Sequence, residues 1–401
     1  MPHREYVPVS PLIQGNYYRS QTNEQLITYL YSELLRISDT VRELREDVEH
    51  LTEAQESNLL IDGQFEFWQE HGTTVTAPLN GAYVTGMLRL AKIGTAVLDV
   101  TRSSDTPDAS PARYSVKVDV TTADTSLAAA DYGEFFQPIE GLLTKQTLIG
   151  TSAAKKVTFS FWVKTNKAGT YCTTLRDAGA GAGAQERTYI NEYTITASEV
   201  NTWKLVTHTF TVDTSNTAGW REDENIGFYA SWCLASGSNL STSTAREWLD
   251  GNFIATTNQV NFFDSTSNEI YLTDIRLDIG EERKVLERGY IFADPRLNRY
   301  VRTSYGDGVT VGTADHDGLH FGHTSGGGNL LESVNWETPM RAAPALTLYN
   351  SYNGNSGVVG IAGLDSTPSS TATTTTGFRF SQGGVTADAE VVYQYFVNAR
   401  L

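Results

Sequence analysis

Cysteine is nearly absent: Cys172 and Cys233 are the only two in 401 residues. A small secreted scaffold would carry more, and two in a large β-rich chain read as buried small apolar residues rather than a bridge. Long apolar runs are missing too. None approaches the 18 residues a membrane span needs, and no basic start leads into an apolar segment, so neither membrane insertion nor export by a signal of its own is expected. Basic charge is scarce, with 30 Lys and Arg against 47 Asp and Glu, a net charge of −17 and a pI near 4.8. Such a chain repels phosphate, which excludes nucleic acid and anionic membrane as partners. Also missing are a Gly-x-Ser-x-Gly elbow, a phosphate loop, a Cys-x-x-Cys pair and the short-period repeat of a β-helix. No cofactor or metal is expected.

What is present begins with a heptad pattern. Ile27, Leu34, Val41, Val48 and Gln55 are seven apart, and Leu30, Ile37, Leu44, Leu51 and Asn58 form a second series offset by three. These are the a and d positions of a coiled coil, with Ile27, Leu30, Leu34, Ile37, Val41, Leu44, Val48 and Leu51 as its oligomerisation seam. The spacing predicts a helical stalk over residues 23–58, with Thr22 or Asn23 as the N-cap. Val41, Leu44, Val48 and Leu51 suit a dimer, whereas Leu34 followed by Ile37 suits more strands, so the seam leaves the number of copies open. Before it, residues 1–22 hold Pro2, Pro8 and Pro11 among Tyr6, Val7, Val9, Leu12, Ile13, Tyr17 and Tyr18. Too apolar for a linker and too short for a core, this segment reads as an extended peptide docking on a partner, the bland alternative being a frayed terminus.

After the Asp62-Gly63 turn the chain alternates short β runs with turn residues, the pattern of an antiparallel sandwich. Residues 112–120, 157–165 and 203–212 alternate cleanly; 270–279 alternates with one slip that fits a bulge. Residues 177–185 and 235–245 have the composition of exposed loops. A smaller β domain follows from about residue 310, with a Ser/Thr-rich loop over 365–376.

Few residues offer chemistry. Asp131, Glu134 and Glu140 are close enough in sequence to imitate a glycosidase pair, although acids beside a turn are usually solvated. His316, His320 and His323 lie within eight residues; a polar Gly-rich loop is the plainer reading than a metal site shared between chains. Flat aromatic rings stack on sugars. Trp162 and Trp203 sit on strand runs that read as core, leaving Trp220, Trp232 and Trp248 as candidate glycan contacts, with core packing as the alternative for each.

The elements NLLIDGQFEFWQ (58–69), FFQPIEG (135–141), VTFSFWVKT (157–165), AGTYCTTLRD (168–177), INEYTITASEVNTWKLVTHTF (190–210) and IYLTDIRLDIGEE (270–282), in that order, resemble the jelly-roll domain of bacteriophage tail-fibre and virion structural proteins. That domain is similar in layout to carbohydrate-binding modules. LERGYIFADPRLNRYVRTSY (286–305) resembles the linker that follows it, and WETPMRAAPALTLYN (336–350) and FVNARL (396–401) complete the match. Where relatives often have Cys-Gln-Arg-Tyr-Tyr, this chain has Arg296-Leu297-Asn298-Arg299-Tyr300. The resemblance implies a homotrimer, and with it a mainly β fold with an N-terminal coiled coil: a virion-docking peptide (1–22), a parallel trimeric α-helical stalk (23–58), an antiparallel jelly-roll sandwich (59–283), a linker (284–309) and a small C-terminal β-sandwich tip (310–401). It implies a non-enzymatic fibre or appendage of a virion, assembled in the host cytoplasm. Residues 1–22 would hold another virion protein and the β domains would touch host surface polysaccharide. A non-adhesive collar or capsid decoration and a polysaccharide-degrading tailspike are the alternatives.

Overall fold

The structure, a computed structural model, describes residues 28–42, 45, 58–68, 70–177, 186–216, 219–284, 295–306, 308–323, 328–385 and 389–401. The chain divides into two compact units, Met1–Ser57 and Asn58–Leu401. In the first, residues 28–42 form helix α1. Residue 45 is helical as well; the described run is about two heptads, or roughly 22 Å, against the three or four heptads of a sustained coiled-coil seam. The expected trimeric stalk over 23–58 is overturned: no described helix is long enough for it, and the protein is mainly β. Asn58, assigned the last seam place, belongs to the second unit. It is 7% exposed, and its Oδ1 accepts hydrogen bonds from the backbone N–H groups of Leu60 and Leu277, each at 3.0 Å. A polar residue at a d position weakens a coil, whereas here the same amide satisfies two buried donors. Of the seam, Leu30, Leu34, Ile37 and Val41 are largely exposed in the chain; Ile27, Leu44, Val48 and Leu51, like the docking peptide 1–22, lie outside the described residues.

The sandwich has two antiparallel sheets. The six-stranded sheet runs in the order β1 (Thr74–Thr76), β4 (Val97–Ser103), β5 (Ser115–Thr122), β15 (Glu269–Ile279), β7 (Lys156–Thr165), β10 (Lys204–Thr211). The seven-stranded sheet runs β13 (Trp248–Asp250), β9 (Arg187–Ile195), β8 (Gly169–Asp177), β11 (Ile226–Ser236), β6 (Tyr132–Glu140), β3 (Arg89–Ile93), β2 (Ala82–Tyr83). Alternation decides which side chains enter the core. On β7, Val157, Phe159, Phe161 and Val163 are buried together, and burying a phenylalanine contributes roughly 1.5–3 kcal/mol. The slip read in 270–279 is a bulge: between Thr273 opposite Trp162 and Arg276 opposite Ser160, β15 carries one extra residue. Asp274 there takes a left-handed φ of 50°, which lets Ile270 and Leu272 before it and Ile275 and Leu277 after it all face the core.

Gly63 shows why the segment after Asn58 is so specific. A Cβ at that position would sit 2.2 Å from the carbonyl oxygen of Ile275, so the chain can cross β15 only with glycine there. Asp62 caps the turn, its carboxylate accepting from the backbone N–H of Glu66 at 2.9 Å.

Beyond residue 300 come β16 (Val301–Thr303), β17 (His320–His323), β19 (Ala345–Tyr349), β20 (Val359–Ile361) and β21 (Leu364–Ser366), gathered with β24 (Glu390–Asn398) in one sheet. A second holds β18 (Gly328–Asn335), β23 (Gly377–Val385) and β22 (Ser370–Thr374). Leu330, Phe378 and Phe380 pack on Val391, Tyr393 and Val397 between them. This second sandwich packs against the first. Ile61, Phe67 and Met87 of the jelly roll share a core with Leu297, Tyr300, Val301 and Phe396, so the described part of the expected linker is a packed joint. There Arg299 pairs with Glu140 at 2.6 Å and Tyr300 donates to the same carboxylate at 2.6 Å, while Arg296 donates to the Leu60 carbonyl at 2.8 Å. The Ser/Thr run expected as a loop over 365–376 instead contains β22 and the turn that joins it to β23, because Thr favours strands.

Candidate functional site

The outer face of the seven-stranded sheet gathers charged and aromatic side chains that sequence alone disperses. Register places Tyr229 opposite Arg176, Ser231 opposite both Thr174 and Phe136, and Cys233 opposite Glu134. Tyr189, Phe228, Trp232 and Phe135 fill the core, so the alternate residues Glu134, Phe136, Tyr229, Ser231, Thr174 and Arg176 point outward. One half of this face is covered by the segment 237–259, which includes helix-like turn Ser238–Leu240, β12 (Ser241–Thr242) and β14 (Ala255–Thr256). Ile254 and Ala255 bury Cys172, Ile190 and Cys233 there. Residues 235–245, expected as an exposed loop, thus begin in β11 and continue into this cover. The two cysteines are free thiols, and burial pushes both above the usual thiol range.

In the other half, Arg176 reaches across β11 to Glu134, Nη2 to Oε1 at 2.5 Å, and its Nη1 donates to Asn252 Oδ1 at 2.7 Å. Both members of the pair are under 10% exposed. Glu134 Oε2 and Arg176 Nε are buried without a protein partner, a costly state unless a ligand or water supplies one. Around them stands a series of rings and guanidinium groups. Arg176 lies 5.6 Å from the Tyr229 ring, Tyr229 meets Phe136 edge-on at 5.3 Å, and Arg89 sits 5.0 Å from Phe136 and 5.1 Å from Tyr83. Tyr132 and Tyr229 are half-buried. Burial raises the pKa of each, and Glu134 adds to the effect at both while Arg176 opposes it; both therefore keep their hydroxyl protons and can donate.

The residues singled out in the sequence are placed elsewhere. Trp232 is 2% exposed and meets Phe159 edge-on at 5.2 Å in the core. Trp220 is buried, its Nε1 donating to the Ser215 carbonyl at 2.9 Å. Trp248 is half-buried against Trp220 and Tyr189, its Nε1 donating to the Thr211 carbonyl at 3.0 Å. None of the three is an open platform. Asp131 accepts from the Ala128 N–H at 2.8 Å. Glu134 and Glu140 share a face of β6 but lie six residues apart, roughly 20 Å along a strand, against the roughly 5–9.5 Å of a glycosidase pair. His320 stacks on Tyr393 at 5.0 Å, with burial lowering its pKa, and His316 is exposed beside Tyr352. His323 ends β17. Among the described residues no group of His, Cys, Asp and Glu could hold a metal ion, and no helix is long and apolar enough to cross a membrane.

The sequence reading missed β11, and with it Tyr229. IGFYASWCLAS carries no charge: one face is core, and on the other Cys233 lies under the segment 237–259 and Ser231 is fully buried, so the alternation that marks a half-buried strand is absent. Arg176 lies in a quoted motif, AGTYCTTLRD, but only pairing across β11 reveals its partner.

No family model matches the chain, and no curated protein matches it. Among solved structures it is similar to the enzymatically active domain of bacteriophage CBA120 tailspike protein 4 (14% identity over 51% of this chain and 21% of that one, TM-score 0.26). It is also similar to the family 11 carbohydrate-binding module of Clostridium thermocellum bound to a mixed-linked tetrasaccharide (11% identity, 53% of this chain and 99% of that one, TM-score 0.27). A third is the CBM22-1 xylan-binding domain from Paenibacillus barcinonensis Xyn10C (11% identity, 53% and 98%, TM-score 0.24).

Proposed function

We propose that this chain is a structural protein of a bacteriophage virion whose jelly roll holds a glycan, without cleaving it, on the outer face of the seven-stranded sheet. The observation that carries the reading is the Glu134–Arg176 pair, buried yet with one unpartnered atom on each side chain, beside the half-buried ring of Tyr229. A carboxylate and a guanidinium set next to aromatic rings are what a sugar needs: the rings take its apolar face, and the polar atoms take adjacent hydroxyls. Binding is favoured over cleavage because Glu134 and Glu140 are too far apart for an acid–nucleophile pair and each is tied in an ion pair. The virion assignment rests on the ordered motifs of the sequence, with attachment through residues 1–22.

The experiment is calorimetric titration of purified host surface polysaccharide into the wild-type protein and Tyr229→Ala. The expected result is measurable binding, weakened about tenfold in the variant at an unchanged melting temperature, a stacked ring being worth about 1–1.5 kcal/mol. Equal binding by both proteins, or none by either, would overturn the reading, and shortened polysaccharide chains would turn it into an enzyme. Immunogold labelling of virions would separate an adhesive fibre from a collar.

A further inference from the structure

The outer face of the six-stranded sheet carries a second constellation that the proposed site does not use. Register sets Tyr271 on β15 opposite Lys164 on β7 and Lys117 on β5. Trp203, one residue before β10, extends the same row past Lys164, since Lys204 is opposite Val163. The row therefore reads Trp203, Lys164, Tyr271, Lys117 across four neighbouring strands, about 14 Å at the usual strand spacing. The Lys164 ammonium lies 4.3 Å from the Tyr271 ring and 5.3 Å from the Trp203 ring, and Lys117 lies 5.7 Å from Tyr271. Trp203 and Tyr271 meet edge-on at 6.1 Å. In the neighbouring row Leu205 is opposite Trp162; Leu205 is exposed and Trp162 half-buried.

These rings are held in place. Trp203 Nε1 donates to Asp105 at 2.9 Å, and Asp105 also pairs with Lys164. Lys117 is gripped by Asp119 at 2.8 Å and Glu269 at 3.1 Å. Two ammonium groups thus face three carboxylates, so the row is charge-compensated with a surplus of acid. A polyanion gains nothing there and meets a chain of net charge −17. A neutral polyol suits it: apolar sugar faces lie on rings already fixed, which lowers the ordering cost of binding, while hydroxyls bridge ammonium and carboxylate.

We propose that this row is a second glycan-binding surface, selective for an uncharged polysaccharide laid across the strands of the six-stranded sheet. It rests on different residues from the Glu134–Arg176 site and stands or falls separately.

The test is affinity electrophoresis of the full chain in gels containing dextran, laminarin or galactomannan as neutral probes and alginate as the anionic one. Wild type and Tyr229→Ala should both be retarded by at least one neutral probe and by alginate not at all. Trp203→Ala/Tyr271→Ala should lose at least tenfold in affinity. Leu205→Arg, a change at an exposed position that leaves the rings in place, should also weaken retardation, and it keeps the test decisive if the double variant fails to fold. Three results would overturn the proposal: no retardation of wild type by any neutral probe, retardation by alginate alone, or unaltered retardation of Leu205→Arg. A change confined to oligomeric mass would likewise overturn it and assign the face to a second copy of the chain.

Discussion

Arg176 and Glu134, 42 residues apart in sequence, meet at 2.5 Å on strands that are not neighbours, with β11 between them. The pair spans three strands, so it ties the register of the whole centre of the seven-stranded sheet. It is also buried, and a buried ion pair is a poor source of net stability but a severe liability when halved. Arg176→Met should therefore cost about 3–5 kcal/mol by leaving the Glu134 carboxylate uncompensated. Adding Glu134→Leu should restore most of that loss. Urea unfolding of the two single variants and the double variant reads this directly, and simple additivity of the single effects would show that the pair is not coupled.

Asn58 separates a stalk residue from a sandwich residue. In a coiled-coil seam, Asn58→Leu would strengthen the core. In this structure it removes the acceptor from the buried N–H groups of Leu60 and Leu277, at roughly 1–3 kcal/mol for each donor left unpaired. The melting temperature of Asn58→Leu should fall by several degrees. A rise would show that these two donors are satisfied without the Asn58 amide.

His208 predicts the acid limb of stability. Its position on β10 is opposite Phe159, and burial first, then the charge of Arg246, lowers its pKa from the usual 6.5 to about 4. The folded protein keeps it neutral while the unfolded chain protonates it. Between pH 6.5 and 4 the unfolded state thus binds more protons, and stability declines as the pH falls through that window, by at most about 3 kcal/mol. His208→Leu should flatten this decline in melting temperature measured from pH 7 to pH 4. Parallel curves for the two proteins would mean that other groups set the acid limb.

How far the sequence could be read depended on whether local pattern and burial agreed. On β7 the pattern itself survives: Val157, Phe159, Phe161 and Val163 face the core and alternate with Thr158, Ser160 and Lys164, of which Thr158 and Ser160 are buried but polar, so the strand was legible. The bulge at Asp274 was legible for the same reason, since the apolar series changes phase there. On β11 the outer face is largely buried as well, Tyr229 excepted, and the pattern vanishes, which concealed Tyr229 and left Trp232 looking exposed. Residues 365–376 misled in the opposite way, because a polar Thr-rich strand and a loop share a composition. The heptad series fixes which residues of a helix would share a face, but not how many residues the helix takes up.

By itself the sequence determined the mainly β class, the alternating faces of the clearest strands and the acidic net charge. These follow from local periodicity and composition. Tertiary structure alone decided that the chain enters the sandwich at Asn58, that the described part of the expected linker packs through Leu297 and Tyr300, and that Glu134, Arg176 and Tyr229 meet. Each of those is a contact between segments far apart in the chain. Cross-strand register, which pairs residues by backbone hydrogen bonds and by the burial of whole sheets, is set only when all the strands are in place.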